Sequence, residues 1–64
     1  MEFGEKLQSL RKQRGLTQEE LAEALYVSRT AVSKWESCKG YPGIDSLKAI
    51  SEFFSVSIDA PFRL

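Results

Sequence analysis

Two helix starts lie only eleven residues apart, at Thr17 and Ser28, and this spacing constrains the chain more than any other feature. Between and beyond them the apolar residues Leu21, Ala22, Leu25, Val27, Val32 and Trp35 fall on a helical period that breaks near Tyr26 and resumes in a new direction. Thr17 with Glu20 three residues on forms a capping box, and Glu19 and Glu20 sit at the positive end of the helix dipole. Ser28 can cap a second helix, RTAVSKWE, which leaves Leu25 to Ser28 as a turn of a few residues. A turn so short makes the two helices cross steeply, with the small Ala22 allowing close approach.

This is helix-turn-helix geometry, and the rest of the chain reads as its support. Residues 2 to 14 carry Phe3, Leu7 and Leu10 as one apolar stripe, and Gly15 ends that helix, with Lys12 and Arg14 at its negative end. After the glycine- and proline-rich loop KGYPG, residues Ile44, Leu47, Ile50, Ser51 and Phe54 predict a further helix whose apolar face closes the core, with Phe53 off the stripe but leaning to the core. Ser57 can cap one more turn, cut short by Ala60-Pro61, and Phe62 and Leu64 are left as terminal apolar residues. The expected fold is all-α: a compact bundle of four to five short helices, a single domain over residues 1 to 64, with the helix-turn-helix at about 17 to 38.

Sixty-four residues allow one small core and leave no room for a separate catalytic cleft. Without histidine and with Cys38 as the one cysteine, neither a protein metal site nor an internal disulfide is expected, and no cofactor is implied. No apolar run approaches a membrane span and no signal-peptide pattern opens the chain, so a reducing, cytoplasmic setting is expected. The net charge is zero, which argues against a strongly basic nucleic-acid binder. Its distribution softens the argument. Lys6, Arg11, Lys12, Arg14, Arg29, Lys34 and Lys39 outnumber Glu19, Glu20, Glu23 and Glu36 between residues 6 and 39, so positive charge gathers around the motif.

Gly15-Leu16-Thr17-Gln18-Glu19-Glu20-Leu21-Ala22, Val27-Ser28, Ser33-Lys34-Trp35-Glu36, Lys39 and Tyr41-Pro42 stand in the order of a known pattern. The chain resembles the phage-repressor-like helix-turn-helix family, the Cro/cI or XRE type, over nearly its whole length. It departs from the family at Tyr26, where glycine is usual in the turn, and at Ser37-Cys38, usually Asn-Gly. A tyrosine held at positive φ costs about 1 kcal/mol that glycine avoids.

The resemblance implies sequence-specific binding of double-stranded DNA by a transcriptional regulator, by default a repressor, acting as a homodimer on a palindromic operator. It places the helix after Ser28 in the major groove. Arg29, Thr30, Ser33 and Lys34 are then the candidate base-contacting residues, with Arg29 suited to guanine and Thr30 to thymine. Thr17, Gln18, Ser28, Ser37, Lys39, Gly40 and Tyr41 are the candidate phosphate contacts, although Tyr41 packs equally well beside Pro42. Arg11 is expected to pair with Glu36 as a structural link between the first and third helices. Read without the resemblance, the polar strip is an ordinary solvated face, Trp35 is core, and Cys38 is an incidental small residue. The competing function is a protein-interaction module on the same scaffold, antitoxin-like or appended to an enzyme.

Overall fold

The computed structural model describes residues 2–55. Within them the chain forms four helices and no strand: α1 (Phe3–Gln13), α2 (Gln18–Leu25), α3 (Arg29–Glu36) and α4 (Ile44–Phe54). The short final turn, Ser57, Pro61, Phe62 and Leu64 lie outside the described residues.

Both expected caps form. Thr17 Oγ1 accepts the Glu20 amide at 3.0 Å while Glu20 accepts the Thr17 amide at 2.8 Å, and Ser28 Oγ accepts the Ala31 amide at 3.1 Å. The ends are equally regular. Each of the four helices stops at a residue of positive φ: Gly15 at 68°, Tyr26 at 59°, Cys38 at 62° and Ser55 at 56°. At the first three the reversed amides fold back onto the last turn, as with Val27 N–H to Ala22 C=O and Lys39 N–H to Lys34 C=O. The family's turn geometry is thus kept at Tyr26 and Cys38, and the backbone strain there is carried by the rest of the fold.

Leu7, Leu21, Ala22, Leu25, Val32, Trp35, Ile50 and Phe54 form one buried core drawn from all four helices. α3 packs on α1 and α2, and α4 packs on α2. Val32 is fully buried and Trp35 is 8% exposed, so the apolar stripe of α3 faces inward as its spacing requires. One expectation needs correction: Ile44 is 70% exposed and takes no part in the core. It is the first residue of α4, and the inward face of that helix begins only at the half-buried Leu47.

Two long-range ties finish the body. Gly4 in α1 lies against the end of α3, where a Cβ would stand 2.7 Å from the Glu36 carbonyl oxygen and 2.8 Å from Cys38 Sγ, and against the Trp35 carbonyl. Arg14 donates to the Phe53 carbonyl at 3.2 Å and lies over the rings of Phe53 and Phe54, 5.3 and 5.4 Å from their centroids. Phe53, off the α4 stripe, is thereby half-buried beneath a cation and against the edge of Phe54.

Candidate nucleic-acid interface

Burying Val32 and Trp35 fixes the rotation of α3, and the same rotation turns Arg29, Thr30, Ser33 and Lys34 outward. All four are exposed and together line one shallow depression along the helix. None of them has a salt bridge among the described residues. A surface-lying helix of eight residues with guanidinium, hydroxyl and ammonium groups on one strip offers donors in the pattern that base edges accept.

The residues expected at phosphates border this strip on two sides. Thr17 and Gln18 open α2, Ser28 precedes α3, and Ser37, Lys39, Gly40 and Tyr41 follow it. Their chemistry differs. Thr17 and Ser28 cap with an oxygen lone pair, which leaves each hydroxyl proton available for an outside acceptor. Ser37 uses its proton on the Ser33 and Lys34 carbonyls at 2.9 and 3.2 Å, so in this rotamer its side chain accepts and does not donate. Tyr41 rests on Phe3 with ring centroids 4.7 Å apart and remains 63% exposed. Gly40 packs toward Lys34 and Trp35, which holds the loop against the end of α3.

Behind the strip is the expected ion pair. Arg11 Nε donates to Glu36 Oε2 at 2.7 Å and Arg11 Nη2 to Oε1 at 3.1 Å, a two-pronged pair with both side chains buried. Arg11 Nη1 also donates to the Leu16 carbonyl at 2.7 Å. Gln18 joins this group through Nε2 to Glu36 Oε1 at 3.1 Å, a contact that sequence spacing does not announce. With Arg11 neutralised by Glu36 and Arg14 engaged on α4, the exposed cations on α3 and just after it are Arg29, Lys34 and Lys39, while Lys12 is exposed on α1. No His, Cys, Asp or Glu cluster among the described residues is arranged to hold a metal ion.

Two packed helices joined by the short turn Tyr26 to Ser28, a polar outward face on the second and donors at its flanks define a helix-turn-helix DNA-binding domain. The sequence pattern of the helix-turn-helix family matches residues 7–60, and the chain belongs to that family, in its phage-repressor-like (XRE) branch.

It is similar to the HTH-type transcriptional activator BcrR of Enterococcus faecalis, 73% identical over 59 residues that make up 92% of this chain and 29% of that protein. It is also similar to the cryptic phage CTXphi transcriptional repressor RstR of Vibrio cholerae, 34% identical over 92% of this chain and 53% of the repressor. The chain therefore spans between 29% and 53% of the length of these relatives. Among solved structures, the P22 c2 repressor in complex with a synthetic operator superposes with a TM-score of 0.92 at 28% identity, covering 98% of this chain and 96% of that one.

Proposed function

We propose that this chain is the operator-reading domain of a transcriptional regulator, with α3 in the major groove of double-stranded DNA. The observation that carries the reading is the division of α3: Val32 and Trp35 seal the core while Arg29, Thr30, Ser33 and Lys34 stand outward together. Thr17, Gln18, Ser28, Lys39, Gly40 and Tyr41 serve the sugar-phosphate backbone on either side and fix the helix in register, and Ser37 joins them once its hydroxyl turns from the Ser33 and Lys34 carbonyls. The domain works by binding rather than by catalysis, in the cytoplasmic compartment that holds the DNA. Two copies related by a two-fold axis read a palindromic site with half-sites about 34 Å apart.

The sign of regulation follows from position. A domain seated over DNA that polymerase needs represses, whereas one seated beside it and presenting a surface activates. Repression is the family default and has a counterpart in RstR, but 73% identity to part of an activator adds weight to activation.

Selecting duplexes from a random pool gives the preferred site. Against it, Arg29→Ala and Lys34→Ala are each expected to lose roughly 5- to 100-fold in affinity with thermal midpoints unchanged. Full-strength binding by both variants would remove the polar face of α3 from the interface.

A net charge of zero favours a second reading, in which the same scaffold docks on another polypeptide. Salt separates the two. DNA affinity falls log-linearly with ionic strength as phosphates release counterions, and a protein contact of mixed character does not show that slope.

A further inference from the structure

Glu36 closes α3, yet its carboxylate also reaches the first residue of α2. Its side chain is 2% exposed, and all three of its contacts are donors: Arg11 Nε on Oε2, with Arg11 Nη2 and Gln18 Nε2 sharing Oε1. We infer that Glu36 is a positioning residue for DNA binding, holding the Gln18 amide so that its remaining Nε2 proton, beside the opening amides of α2, meets one backbone phosphate. The inference rests on the DNA-reading function proposed above.

The argument is one of preorganisation. A glutamine on an open surface spreads over many rotamers, and ordering it on a phosphate costs conformational entropy at the moment of binding. Gln18 is half-buried and already tied, so that cost is met when the domain folds. A bare carboxylate beside a phosphate would repel it. Here the two-pronged Arg11 pair cancels the charge, the Glu36 side chain is 2% exposed, and its Oε1 also accepts from the neutral amide of Gln18. The opening turn of α2 adds the partial positive charge of a helix N-terminus on the same side. Because Glu36 terminates α3, the phosphate anchor and the reading helix are fastened to one atom group, and a shift of either moves the other.

The test is a cycle of equilibrium titrations on the duplex selected by the unmodified protein. Gln18→Ala is made alone and within Arg11→Met/Glu36→Met, a pair change that removes the acceptor without altering net charge or side-chain bulk. Gln18→Ala alone should weaken binding about tenfold, and within the Met pair by less than about threefold. Equal losses in both backgrounds overturn the inference.

The dependence of affinity on salt supplies a readout that a purely structural role would move. It should be the same for all four proteins, since no cation leaves the interface. A shallower slope in the Met pair means α3 has been unseated, and that also overturns it. Nuclear magnetic resonance of the unmodified protein needs no variant to fold. One Gln18 Nε2 proton should be shifted from random-coil values before DNA is added, and the other should move on addition. Two random-coil protons in the free protein count against the proposal. If the unmodified protein binds no duplex, the DNA-reading function falls and this inference with it; if it binds without coupling between Gln18 and Glu36, only this inference falls.

Discussion

At Gly4, in the first turn of α1, the usual rule for a helical glycine reverses. Replacing a helical glycine with alanine ordinarily stabilises by about 1 kcal/mol. Here the new methyl would press on the Trp35 and Glu36 carbonyls, which are backbone and cannot turn aside. Gly4→Ala is expected to cost about 1–3 kcal/mol net, read as a lowered midpoint in chemical denaturation. Tyr26 is the opposite case. It holds φ at 59° with 95% of its surface exposed, so its side chain contributes strain and little packing. Tyr26→Gly should stabilise by about 1 kcal/mol and raise the thermal midpoint by about 4–8 °C. An unchanged or lower midpoint would mean the ring has a packing role that its exposure hides. Trp35→Ala removes the largest member of the core and should cost about 3–5 kcal/mol, enough to unfold so small a domain.

Among the helices of the described residues, α2 and α3 are the shortest and the most dependent on their ends. α2 and α3 have eight residues each, too few to persist in isolation, so caps and tertiary packing hold them. Thr17→Ala breaks the reciprocal cap of α2 and should cost about 1 kcal/mol by thermal melting; a loss near zero would show that Glu20 alone suffices. These signals were legible in the sequence because capping boxes and turn lengths are local, spanning three or four residues. The candidate reading strip was legible for the same reason: once Val32 and Trp35 are assigned inward, the helical period turns Arg29, Thr30, Ser33 and Lys34 outward. Among the described residues the apolar pattern misled at Ile44, where the first residue of α4 continues the stripe past the edge of the body.

Across the whole molecule, charge is best judged by what remains after pairing. The positive surplus around the motif includes Arg11, which Glu36 neutralises, and Arg14, which keeps its charge but is engaged on the Phe53 carbonyl and rings of α4. The three exposed cations on α3 and just after it, Arg29, Lys34 and Lys39, give an expected slope of log affinity against log salt of about −3 per domain, or about −5 for a dimer. Measured across a salt series on the selected duplex, a slope near zero would contradict the groove-bound geometry.

The sequence by itself determined the four helices within residues 2–55, the N-terminal caps of α2 and α3, the short turn between those two, and which face of α3 is polar, but not the Glu2–Glu5 capping box that opens α1. Each depends on neighbours within a turn or two of helix, where backbone geometry fixes who meets whom. Only the tertiary structure decided that Gln18 joins Glu36, that Gly4 lies on the carbonyls of α3, and that Arg14 closes over Phe53. Those partners are separated by 18 to 39 residues of chain, and what brings them together is the packing of four helices around one core.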